Sequence, residues 1–258
     1  MATYNKRGYK PKTQKEKEEV VETDSATAEV FSSLDEGANK TEEWVSENQN
    51  IILIVVGVLV AIALGSWAYQ VFRVEPRAEE ALVESAQANE YYLQAVNATG
   101  EQQDSLYNMA LEDSNGKYGL IKIAENYSGT PSGNIANYQA GMAYLNLGGA
   151  NYQNAIDYLT AYDGDGSILE AYAAGGIGDA LVQVDQKADA VSYYLKAADI
   201  QSNEFTTPKY LLKAAQAALD TGDNSTAVSS LERIEEEYPD APEASTAKVL
   251  LAQAQIAD

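Results

Sequence analysis

The chain has neither cysteine nor histidine. Those two absences remove Ser-His-Asp and Cys-His nucleophiles, the usual nitrogen- and sulfur-ligated zinc centres, and any redox disulfide. They leave the compartment open, since a cysteine-free chain suits cytosol and envelope alike. Carboxylate pairs, Ser–Lys pairs and tyrosines remain for catalysis, and none stands in a recognisable motif. Basic residues are scarce as well. Seventeen Lys and Arg face 39 Asp and Glu, for a formal net charge of −22. Nucleic-acid affinity comes largely from counterions displaced by Lys and Arg, so DNA and RNA are poor partners for this chain. Asp163-Gly164-Asp165-Gly166 begins like a calcium loop. Ile168 and Ala174 then stand where that loop needs Gly and Glu, so the segment reads as a turn. No cofactor and no small-molecule substrate are expected, and the expected role is binding, not catalysis.

What is present is first a long apolar run. Residues 51–72, IILIVVGVLVAIALGSWAYQVF, contain no charge. As a helix rising 1.5 Å per residue, the run is long enough for a hydrocarbon core of about 30 Å. Trp44 before it and Trp67 and Tyr69 near its end fit an interfacial aromatic belt. A soluble helix of this length would show a polar face, and a signal peptide would start earlier and be shorter. We therefore expect one transmembrane helix over 51–72. Gly57, Ala61 and Gly65 make a small-residue stripe along it, suited to packing against another membrane helix.

Residues 1–50 are polar, with a basic cluster at Lys6, Arg7, Lys10, Lys12, Lys15 and Lys17 and an acidic stretch after it. So few apolar residues cannot offset the entropy of ordering, and a disordered tail is expected, with Thr41 as a helix cap near its end. Orientation is not set by charge. Lys40 on one side of the span faces Arg73 and Arg77 on the other, a local count that slightly favours the repeats inside. Residues 73–103 read as a linker with a kink at Glu75-Pro76 and an amphipathic helix bearing Leu82, Ala86, Leu93 and Val96. A loop over 97–103 follows.

From 104 to 258 the sequence repeats. One unit holds Gly178, Ala190, Tyr194 and Ala197; the next holds Ala215, Gly222, Ala227 and Leu231 and closes on Tyr238-Pro239. The unit before them holds Gly141, Tyr144, Gly148, Ala155 and Leu159, with Gly149-Ala150 inserted in its turn. A degenerate first unit carries Gly119, Ile123 and Pro131. Gly119, Ala155, Ala190 and Ala227 are spaced by 36, 35 and 37 residues. Small residues at helix crossings, large ones between and a period near 34 resemble the tetratricopeptide family. The resemblance implies an all-α fold of stacked helix–turn–helix units, with residues 241–257 as a capping helix. Gly175-Gly176 and Gly119 depart from the pattern and imply looser packing, at about 1 kcal/mol per glycine.

The tetratricopeptide phase implies a groove lined by the first helix of each unit. It would present Tyr138, Met142, Leu145 and Asn146, then Tyr172, Asp179 and Gln183, then Lys209, Leu212 and Gln216. Tyr, Met and amide groups suit polypeptide. The Lys and Asn set of the chaperone-tail clamp is missing. The layout as a whole resembles the YfgM-type family, ancillary subunits of the bacterial Sec translocon. That resemblance implies an inner-membrane protein with one span, a cytoplasmic N-terminus and a periplasmic repeat domain. It implies translocon subunits, periplasmic chaperones and emerging secreted chains as partners. The longer tail of this chain departs from the family and leaves room for a cytoplasmic contact such as the ribosome. The rival expectation is an envelope scaffold for cell-wall or outer-membrane assembly.

Overall fold

The computed structural model describes residues 44–257 apart from Asn115. The basic cluster at Lys6 to Lys17 and the Thr41 cap lie outside the described residues. The chain divides into two units, one ending at Tyr69 and one beginning at Gln70. All regular structure among the described residues is helical, and the only bridge is the isolated pair Ser114–Lys117.

Helix α1 covers residues 44–69, so it begins seven residues before the uncharged run. Leu53, Leu59 and Ile62 lie on different faces and are all exposed. Apolar side chains all round, none of them packed, are what a helix surrounded by lipid would show. Among the described helices one is long and apolar enough to cross a membrane, and it contains this run. A π-helical turn, Gln70–Val74, follows, and α2 spans Glu75–Val96 with Pro76 in its first turn. Proline lacks an N–H and crowds the carbonyl four residues back, so a wider turn just before it relieves the clash. The expected break at Glu75-Pro76 is thus displaced into the preceding turn, and the helix resumes through the proline.

Helix α2 also corrects the reading of its faces. Leu82, Leu93 and Val96, the expected packing stripe, are exposed at 64%, 58% and 52%. The buried stripe lies one residue over: Ala81, Ser85, Ala88, Tyr92 and Ala95. Small side chains let α2 approach its neighbours closely, and that outweighs the larger transfer energy of the leucines.

The remaining helices are α3 (Glu101–Leu111), α4 (Leu120–Asn126), α5 (Pro131–Leu147), α6 (Tyr152–Ala161), α7 (Ile168–Gln183), α8 (Lys187–Asp199), α9 (Thr206–Thr221), α10 (Asn224–Glu237) and α11 (Ala244–Ala257). The loop expected over 97–103 shrinks to four residues, and the closing helix starts at Ala244. Local signals set the ends. The Thr130 hydroxyl accepts from the Gly133 N–H at 3.1 Å, and Pro131 opens α5. Gly222, at φ +79°, ends α9 in the left-handed region, and Asp223 then caps α10 by accepting from the Thr226 N–H. The inserted Gly149-Ala150 lies in a short 3-10 turn, Gly149–Asn151.

From α4 to α11 each helix packs on the next, and α5, α7, α9 and α11 also touch in turn. Ala155, Ala190 and Ala227 sit in α6, α8 and α10 with no exposed surface. One core runs through α2 to α5 and a second through α6 to α11, and Met142 packs against both.

The glycines expected to loosen this packing tighten it. A Cβ on Gly175 would stand 2.0 Å from the Tyr210 ring, and one on Gly176 would stand 2.9 Å from Leu159 Cδ1. Gly178 is pressed against Tyr194, at 2.6 Å by the same construction. Gly119 is not within a helix at all. It is the buried residue before α4, where a Cβ would lie 2.3 Å from the Leu111 carbonyl oxygen. These positions carry glycine because a ring or a backbone occupies the space of a side chain.

Candidate polypeptide-binding groove

Five of the ten expected groove residues converge. Met142, Leu145 and Asn146 from α5 and Asp179 and Gln183 from α7 line a cavity of about 420 Å³. They are joined there by Val182 and Tyr152, which the sequence pattern did not single out, and by Tyr194, which it placed among the repeat positions and not in the groove. The helical period explains the convergence. Positions 142, 145 and 146 share one face of α5, and 179 and 183 share one face of α7. Gly176, between them, keeps the floor low. Its nearest neighbours on the α5 side are Met142 Sδ and Leu145 Cδ2.

The other five residues are spread further. Tyr138 is half-buried, with its ring 5.4 Å from that of Tyr162. Burial, then the neighbouring hydroxyls of Tyr172 and Tyr162, push its phenol up to about 12. It is thus partly core and only partly lining. Tyr172 is the more open aromatic, at 36% exposure. On α9, Lys209 and Gln216 are exposed, Leu212 packs against the core, and Lys209 Nζ lies 5.4 Å from the Tyr210 ring centre. The stripe Gly57, Ala61 and Gly65 lies along α1, and nothing stands within 4 Å of where a Cβ on either glycine would be.

Asp179, expected to line the groove, does so with both carboxylate oxygens already engaged. Its Oδ1 accepts from the Tyr194 hydroxyl at 2.7 Å and from Lys213 Nζ at 2.5 Å, and Oδ2 accepts from the same Nζ at 2.8 Å. The carboxylate ties α7 to α8 and α9. Tyr194 responds as a buried donor should. Burial first, and the Asp179 hydrogen bond second, raise its phenol well above the ordinary range. Its ring stacks on Tyr210 at 6.4 Å and 18°, and Lys213 Nζ stands 5.6 Å above it.

Lys213 was not legible from residue type, but its spacing from Asp179 was a usable signal. The two lie 34 residues apart, one repeat period. The same holds for three other pairs. Lys117 meets Glu84 and Lys187 meets Asp220 at separations of 33, and Arg233 meets Asp199 at 34. Asp179–Lys213 joins α7 to α9 and Asp199–Arg233 joins α8 to α10, alternate helices of the chain, whereas Lys187–Asp220 joins the adjacent α8 and α9 and Glu84–Lys117 joins α2 to the loop before α4. Each exposed pair is worth under about 1 kcal/mol, and their regularity says more about register than about stability.

The site therefore offers an apolar and amide-lined hollow, an open tyrosine and a carboxylate already neutralised by lysine. No cluster of three or more metal-binding side chains occurs among the described residues. Compared with models of protein families and with curated proteins, the sequence matches none.

Proposed function

We propose that the chain is a membrane-anchored tetratricopeptide module that binds polypeptide, held at the membrane by the helix over 51–72. The observation that carries this reading is the register of the helix stack. Fully buried alanines recur in α6, α8 and α10, and ion pairs 34 residues apart join α7 to α9 and α8 to α10. A stack built from such units leaves the faces of α5, α7 and α9 to form a groove, and its side chains suit a peptide backbone and apolar anchors. No nucleophile, general base or ion is needed for that task.

The finer reading is an accessory of the Sec export machinery in a bacterial inner membrane. In it the tail is cytoplasmic, and the repeats are periplasmic beside translocon subunits, chaperones and emerging chains. It draws on the resemblance in layout. Two experiments test it. A protease added to the outer face of the inner membrane is expected to remove the repeats and leave a fragment of tail plus span; protected repeats would overturn the orientation. A photoreactive amino acid at Tyr172 in the full chain is expected to crosslink translocon subunits or secreted chains in transit. Adducts with cell-wall synthases alone would favour the envelope-scaffold reading instead.

A further inference from the structure

A second surface lies away from the α5–α7–α9 face. Between α2 and α3 runs an open groove of about 920 Å³, floored by Leu82, Ala86, Leu93, Ala98 and Leu106. Leu82 and Leu93 are among the more exposed leucines of the helical domain, and both line this groove, while Tyr92 of the same helix lies in the core. In α2 the buried stripe is alanine-rich, and the exposed one holds the leucines. Ser85, Asn89, Glu90, Gln94, Asn97 and Gln102 also line the groove, and exposed leucines rimmed by polar groups mark an interaction site.

The charge around the groove narrows the occupant. Helices α2 and α3 carry seven carboxylates and one cation, Arg77. Arg77 donates to the Asn126 carbonyl at 2.7 Å, so it is turned toward the end of α4. Glu84 is offset by Lys117 at 2.7 Å, and Glu80 accepts from the Tyr127 hydroxyl. Glu79, Glu90, Glu101 and Asp104 have no cationic partner among the described residues, and Glu90 lines the groove itself.

We propose that this groove docks a cationic amphipathic helix of another protein, with leucine-type side chains on one face and Lys or Arg along its flanks. The length suits about three to four turns, the reach of α2 from Leu82 to Val96. Charge argues against two other occupants. A second copy would bring the same carboxylate surplus against itself in a two-fold contact. An anionic lipid surface would be repelled in the same way. The chain's own basic segment, Lys6 to Lys17, has the right sign, but on the single-span reading it lies across the membrane. The groove lies within the unit that begins at Gln70, and the inference does not depend on what the α5–α7–α9 face binds.

The test uses the full chain in an uncharged detergent and a fluorescent 18-residue helical peptide with leucines on one face and lysines on the other. Its counterpart carries Glu in place of Lys. Anisotropy is expected to show saturable binding of the lysine peptide only. The double variant Leu82→Ser/Leu93→Ser, at exposed positions that leave the fold intact by circular dichroism, is expected to weaken it at least about ten-fold. Glu90→Lys weakens it further, and Tyr172→Ala leaves it unchanged. Three results would overturn the proposal: equal binding by the double variant, equal binding of the acidic peptide, or a loss in Tyr172→Ala as large as in the double variant. The last would place the probe in the other groove.

Discussion

Gly175→Ala is expected to destabilise the helical domain by about 1–2 kcal/mol, although alanine is the better helix former. Intrinsic propensity favours the substitution by about 1 kcal/mol in a helix interior. Space opposes it. The new Cβ would stand 2.0 Å from Tyr210 Cε1 and 2.2 Å from Cζ. The ring cannot swing aside cheaply, because Tyr210 is only 3% exposed and stacks on Tyr194. Overpacking of this kind costs about 1–3 kcal/mol, with a clash this close at the upper end. Chemical denaturation of the full chain in detergent measures the net effect. Gly178→Ala, facing Tyr194 at 2.6 Å, should cost less. Gly176→Ala, facing the flexible ends of Leu159, Met142 and Leu145, should cost least. In a Tyr210→Ala background the sign reverses, and Gly175→Ala becomes stabilising by about 1 kcal/mol. A rise in stability in the natural chain would refute the close-approach account.

That ranking shows where sequence and structure part. The phase of small residues was legible, because Ala155, Ala190 and Ala227 are all fully buried, one each in α6, α8 and α10. The local meaning of Gly175-Gly176 was not. A glycine pair in a helix reads as a weakness when only its own segment is in view. Its reason is a tyrosine 35 positions later, whose ring fills the vacated volume. The same limit applies to α2. Its leucines and valine form the more apolar stripe, and hydrophobicity alone assigns that stripe to the core. The alanine stripe wins because helices that cross closely gain more dispersion contact than leucines would gain by burial at a wider spacing.

The groove was half legible for a related reason. Helical phase placed Met142, Leu145, Asn146, Asp179 and Gln183 on facing helices, and they do meet. Phase does not say which carboxylate is already satisfied. Asp179 does line the groove, while Lys213 on α9 and Tyr194 on α8 take up both its oxygens. Pairing across units depends on side-chain reach, and it becomes visible only when each charge is compared with the residue one repeat away. Tyrosine raised the opposite problem. With 18 in the chain, residue type cannot separate core rings from lining rings. Burial separates them: Tyr210 and Tyr194 lie in the core, Tyr138 at its edge and Tyr172 in the open.

Those buried rings make the domain vulnerable to alkali, and the second large effect follows from them. Burial is the leading cause that raises the phenols of Tyr92, Tyr138, Tyr194 and Tyr210, with Tyr138 reaching about 12 and the other three going higher. Unfolded tyrosine ionises near pH 10. Below that pH both states hold the proton, and the contribution of each neutral ring is fully present. Above it the unfolded chain releases protons that the folded chain retains, so unfolding becomes easier as pH rises toward the folded value. Each such ring lowers the unfolding free energy by about 1.4 kcal/mol per pH unit, and four together by about 5. Against a total stability of about 5–15 kcal/mol, cooperative unfolding is expected between about pH 11 and 12. Tyrosinate absorbance at 295 nm should then rise in two stages. Rings open to water ionise first, while helicity is intact. The buried set follows in a single step that coincides with the loss of helical circular dichroism. Tyr194→Phe removes one titrating group, so it should lower the slope between pH 10 and 12 by up to about 1.4 kcal/mol per pH unit, even though it also removes the hydrogen bond to Asp179. If all tyrosines titrated together near pH 10 with helicity preserved, the rings would be open to water, and the packing that gives Gly175 and Gly178 their purpose would be wrong.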